Sequence, residues 1–109
     1  MNWKIEFFNE TVEDETLAFP DKILAKMLHI FEMIQENGPN LGKPYTDAFG
    51  DGLFEIRAKG QEGIGRSFFC YASGTKIVIL HSFVKKTQKT PQKEIDIALK
   101  RKKEIDNEK

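Results

Sequence analysis

The chain is poor in the residues that most often carry chemistry: of 109 residues, one is cysteine and two are histidine. A single thiol, Cys70, allows no internal disulfide and suits a reducing compartment. Set mid-strand among aromatics, it reads as a buried inert thiol rather than a nucleophile. No cysteines and histidines stand at zinc spacing, and no cluster of carboxylates and histidines suggests a metal site. GxxxxGK[ST] and a strand-linked GxGxxG are both missing, which removes the common phosphate cradles. Gly60, Gly63 and Gly65 lie in a hairpin context instead. His81 has no serine elbow to serve. No apolar run nears the ~20 residues that cross a bilayer, and the first residues show no basic-then-apolar signal pattern. The expectation is a cytoplasmic protein with no cofactor and no membrane association.

Formal net charge is also zero, from 17 basic and 17 acidic residues, but the charges are unevenly spread. The first 55 residues hold eleven acids and four lysines and the rest six acids and thirteen bases, so the two stretches carry about −7 and +7. Such a chain has a cationic side suited to phosphate. Chance clustering accounts well for lysines on helices and less well for cations inside strands, where lysine is depleted. With 39% hydrophobic residues the sequence supports one core and one domain, 1–109.

The centre of the chain reads as three successive strands. Residues 53–59 alternate, with Phe54, Ile56 and Ala58 on one face and Glu55, Arg57 and Lys59 on the other. Residues 64–72 and 76–84 are more continuously apolar, as in strands covered on both sides. Gly60-Gln61-Glu62-Gly63 and Ser73-Gly74-Thr75 supply the turns. This meander is expected to present Arg57, Lys59, Arg66, Lys85 and Lys86 on or near one surface.

Ahead of it, residues 3–8 alternate as an opening strand. Thr11 or Asp14 is the expected cap of a short helix, and Pro20 bends the chain near Phe19. A longer helix then runs to about Asn37, with Ile23, Leu24, Met27, Leu28, Phe31 and Ile34 at helical spacing. Asn37-Gly38-Pro39 stops it, and residues 38–52 read as a turn-rich loop. Thr90-Pro91 opens a last helix with Ile95, Ala98, Leu99 and Ile105 on its apolar side. Its basic face, including Lys93 and Lys100, is a solvated surface or, secondarily, a grip on nucleic acid. The order β–α–α–β–β–β–α describes an α+β domain. A small antiparallel sheet carries two N-terminal helices on one face, and its other face, or the cleft beside the C-terminal helix, is left for the cations.

Clustered cations suit chemistry on a phosphodiester. RNA can be cleaved when its 2′-hydroxyl attacks the adjacent phosphate. The protein must then orient that hydroxyl, take its proton, neutralise the five-coordinate phosphorus and protonate the leaving 5′-oxygen. Arginine offers a fork matched to phosphate oxygens, and a lysine crowded by cations titrates lower and approaches the role of a base. Arg57, Lys59, Arg66, Lys85 and Lys86 are of the right types. Lys89 and Lys93 extend the basic surface, and Tyr71 and Phe83 can stack on a splayed base. Core packing is the plainer role for both aromatics, Phe83 above all.

GLFEIR at residues 52–57, R-S-F-F-C-Y opening with Arg66, and ILHSFVKKTQKTP leading into EIDIALKRKKEI complete the pattern. Together they resemble the HigB-like, phage-related branch of the RelE/ParE toxin superfamily, over nearly the whole chain. The most specific parts are GLFEIR and LHSFVKKTQKTP. The resemblance implies the toxin of a type II toxin–antitoxin module and, as in many members, an mRNA endonuclease (an mRNA interferase) working in the ribosomal A site. Implied partners are the ribosome with its mRNA and a helix-turn-helix, HigA-like antitoxin that neutralises by direct binding. Arg57 and Lys59 match the family's basic pair on its second strand, Arg66 the arginine opening its third, and Lys85 and Lys86 the pair after its fourth. His81 fits the branch motif and is either an acid–base group or a satisfied structural histidine. Several relatives place a catalytic tyrosine or histidine near the C-terminus; after Phe83 this chain has neither, which leaves the general acid or base open and shifts weight to lysine. Two other functions stay open: a ParE-like inhibitor of DNA gyrase that cleaves no RNA, and a phage-derived partner-binding module without toxicity.

Overall fold

Short-range signals account for the helices. The computed structural model describes residues 2–85 and 89–107. A first strand, β1 (Lys4–Phe7), leads to α1 (Glu10–Leu17), which is capped by Asn9 rather than by Thr11 or Asp14. The Asn9 side chain accepts the Val12 amide at 2.9 Å, satisfying one of the donors left bare at a helix start. The longer helix, α2 (Asp21–Asn37), follows Pro20 and ends where Gly38, at a φ of +91°, donates its amide to the Ile34 carbonyl.

The strands β2 (Thr46–Gly50), β3 (Leu53–Gly60), β4 (Gly63–Ala72) and β5 (Lys76–Lys85) follow, and α3 (Gln92–Asn107) closes the chain. The sheet order is β1-β5-β4-β3-β2. The α+β class, the meander and the helix positions are as expected, but the sheet is larger and mixed. Part of the turn-rich 38–52 segment pairs antiparallel with β3 as β2, bulged between Ala48 and Gly50. The glycines around it had masked a strand signal that β3's open edge completes. In addition β1 runs parallel to β5; alternation marks a strand without giving its direction.

Two apolar layers sandwich the sheet. On one side Ile23, Met27, Ile30 and Ile34 of α2 pack on Ile56, Ala58, Phe69, Ile77 and Ile79, with Val12 of α1 beside them. On the other, Ala98 of α3 meets Leu53, Phe68, Cys70, Val78 and Leu80. Gly65 owes its place to the first layer: a Cβ there would lie 2.5 Å from Cγ2 of Ile23. The helix rests directly on strand backbone at this point.

One irregularity sets the faces of β5. Phe69 pairs with Ile79 but Phe68 pairs with His81, so Leu80 is an extra residue in the strand. Before this bulge the odd residues Ile77 and Ile79 face α1 and α2; after it, Val84 joins that side and Phe83 joins the side of α3. The bulge therefore turns His81, Phe83 and Lys85 toward the face that carries Arg66 and Arg57.

Candidate functional site

Helix α3 covers only part of its face of the sheet. Past its first turn, the ends of β3, β4 and β5 carry Arg57, Lys59, Ile64, Arg66, Phe83 and Lys85. Register brings them together: Arg57 pairs with Arg66, Arg66 with Phe83, Lys59 with Ile64, and Ile64 with Lys85. Cross-strand neighbours of this kind hold their Cβ atoms ~4.5–5.5 Å apart.

The cations differ in environment. Arg66 is buried, and its Nη1 donates to Oε2 of Glu55 at 2.5 Å. Its Nε is buried without a hydrogen-bond partner among the described residues. Arg66 is thus committed internally and its fork is not turned to solvent. Lys85 is only 5% exposed, and its Nζ reaches Oγ1 of Thr90 at 3.4 Å. Burial pushes its ammonium below the usual lysine range, Arg66 and Arg57 push it further, and Glu55 opposes them. Arg57 is half-buried and Lys59 exposed. From around the sheet edge, Lys26 of α2 donates to the Lys59 carbonyl at 3.3 Å. Lys26, Pro44, Tyr45, Arg57, Lys59 and Ile64 line a groove of about 260 Å³.

His81 lies behind Phe83, the two rings stacked at 5.6 Å. Its Nε2 is 2.9 Å from Oε1 of Glu94 on α3, and its Nδ1 is 3.8 Å from Oε1 of Glu15 on α1. This is a covered histidine held by a hydrogen bond from one helix, with Nδ1 and the nearby Glu15 Oε1 both buried without a hydrogen-bond partner among the described residues. Phe83 is half-buried and also meets Phe68. Tyr71 is on the opposite face of the sheet, where its ring meets Trp3, Phe54 and Phe69. The structure does not bring it to the cations. Lys89, ahead of α3, and Lys93, in its first turn, are exposed. Lys86 falls outside the described residues.

Glu55, Tyr45 and Glu94 belong to this region and were not singled out from sequence. Glu55 was within reach, since alternation already set it beside Arg57 and Lys59 on one face. Tyr45 and Glu94 had no such signal: each is delivered by a segment distant in the chain. Chemically, the described face sets Arg57, Lys59, Arg66 and Lys85 beside Glu55, which is tied to Arg66, in a partly desolvated place. It suits a polyanion, and it holds an amine disposed to lose its proton.

Among the described residues no helix is long and apolar enough to cross a membrane. No curated protein matches the chain. Residues 14–103, from within α1 to within α3, match the family described as Phage derived protein Gp49-like (DUF891). With that span covering most of its length, the chain belongs to the phage-derived Gp49-like family, which is RelE-like and associated with toxin–antitoxin systems.

Proposed function

We propose that this protein is the toxin of a type II toxin–antitoxin module and cuts mRNA on the ribosome, in the cytoplasm, using the RNA's own 2′-hydroxyl as nucleophile. The observation that carries this is Lys85, desolvated and beside two arginines at the open end of the sheet. A lysine so placed has a larger neutral fraction near physiological pH, and neutral amine accepts the 2′-hydroxyl proton. Arg57 forks the non-bridging oxygens as charge builds on phosphorus. Lys59 stands level with Lys85 across Ile64, two strand spacings or about 9.6 Å away. In-line displacement wants base and acid on opposite sides of phosphorus, so Lys59 is the group set to protonate the leaving 5′-oxygen. Arg66, tied to Glu55, lowers the Lys85 amine rather than gripping substrate. Phe83 offers a ring at the rim, and Lys89 and Lys93 extend the basic track. A helix-turn-helix antitoxin would neutralise the toxin by covering this face.

The test is a translation reaction supplied with purified protein, followed by mapping of mRNA ends. Cuts within ribosome-bound message, carrying 2′,3′-cyclic phosphate and lost in Arg57→Ala/Lys59→Ala, are expected. Uncut message, or equal cutting by the double variant, would overturn the reading. Cell death with DNA damage and intact mRNA would point to gyrase, and harmless expression without antitoxin to a partner-binding module.

A further inference from the structure

The groove at the sheet edge shares Arg57 and Lys59 with the cleavage chemistry, and its other walls, Lys26, Pro44, Tyr45 and Ile64, have no part in moving protons yet suit a ligand. We propose that it is a subsite for one nucleotide unit of the bound RNA strand, with the base stacked on Tyr45 and the phosphate already engaged by Arg57 and Lys59 held at its rim beside Lys26. The proposal rests on the phosphodiester reading above and adds where the strand goes next.

Three observations support it. First, size: about 260 Å³ lies just below the ~300–1,000 Å³ typical of drug-sized ligands, so the groove takes one ring system and no more. Second, lining: Pro44, Tyr45 and Ile64 supply an apolar wall with one aromatic ring, and the other three lining residues are all cations. A planar ring and an adjacent anion are what such a wall and rim recognise together. Third, rigidity: the Tyr45 carbonyl accepts the Arg57 amide at 2.9 Å, and the amides of Tyr45 and Thr46 both donate to the Gly42 carbonyl at 3.0 Å. Oγ1 of Thr46 in turn accepts the Gly42 amide at 2.9 Å. Tyr45 is therefore held by backbone bonds directly beside Arg57, and little order is left to impose on binding. Continuity with the cationic face follows from Ile64, which borders the groove and pairs with Lys85.

The same chemistry fits a free nucleotide, so the test has two arms. Isotope-labelled protein is titrated, with NMR detection, against a 5′-nucleoside monophosphate and against a 2′-O-methyl trinucleotide that cannot be cut. Shifts centred on Tyr45, Lys59 and Ile64, with the trinucleotide the tighter ligand, are expected. Tyr45→Phe should bind as wild type. Tyr45→Leu should lose about 10–100-fold, the worth of one stacked base. Lys26→Glu, at an exposed position where folding is not at stake, should weaken both ligands. Shifts elsewhere, or equal affinity in Tyr45→Leu and Lys26→Glu, would overturn the subsite. A monophosphate binding as tightly as the trinucleotide would overturn its assignment to the strand. The two readings fail separately: nucleotide binding with no mRNA cutting retires the nuclease alone, and cutting without these shifts retires the subsite alone.

Discussion

Arg66 on β4 and Glu55 on β3 form an ion pair at 2.5 Å in which each side chain is only 8% exposed. Buried pairs of this kind add little net stability, because desolvating two charges offsets their attraction, but stranding one partner is costly. Glu55→Leu and Arg66→Met should each destabilise the fold by about 3–5 kcal/mol in urea titrations. The double variant should lose far less than the sum of the two single losses. Additive losses would show that the pair is not coupled.

Lys85 offers a titration test. Burial first, then Arg66 and Arg57, hold its ammonium below the usual range, and Glu55 opposes them. Arg57→Ala should raise the Lys85 midpoint and Glu55→Gln should lower it, read from NMR of the side-chain ε-methylene. The cutting rate should rise with pH through the same midpoint and shift with it.

The same shift predicts a slope in stability. An unfolded lysine keeps its proton to about pH 10.4, whereas folded Lys85 releases it earlier. Between those two midpoints the unfolded chain binds more protons, so stability rises with pH; below the folded midpoint the penalty is felt in full. Lys85→Met should abolish that rise. An unchanged slope from neutral pH into the lysine range would refute the assignment.

Gly65 sets the distance between helix and sheet. Gly65→Ala places a methyl 2.5 Å from Cγ2 of Ile23 and 3.2 Å from Cε2 of Phe19, so α2 must lift. The expected loss is about 1–3 kcal/mol. Adding Ile23→Ala, itself destabilising, should cost less in the Gly65→Ala background than in wild type; equal costs would place the strain elsewhere.

Binding to single-stranded RNA should weaken with salt by about 0.7 in logarithmic slope for each phosphate neutralised. Lys59→Ala and Lys89→Ala should each flatten that slope by about 0.7 if each holds one phosphate. Tyr71→Leu should leave both slope and cutting at wild-type level, because Tyr71 lies on the far face with Trp3 and Phe54. Loss of cutting in folded Tyr71→Leu would contradict that separation.

Much of this architecture is written in short-range periods. Period-two spacing in residues 53–59 put Glu55, Arg57 and Lys59 on one side of a strand, and the 3.6-residue stripe of α2 met the other side. Parity along β4 also separates Arg66 from Tyr71, five positions on, although the apolar residues around Tyr71 hid it. These features follow from backbone stereochemistry acting over a few residues, so one stretch of chain suffices to reveal them. Other features have no local signature: the extra residue Leu80, which swings Lys85 to the cationic face; the capture of Arg66 by Glu55; and the arrival of Tyr45 beside Arg57. Each depends on strand register and on solvent excluded by segments far apart in the chain. Whether a cation is desolvated, neutralised or open to a ligand is settled by those distant neighbours, and so it emerges only when the chain is folded.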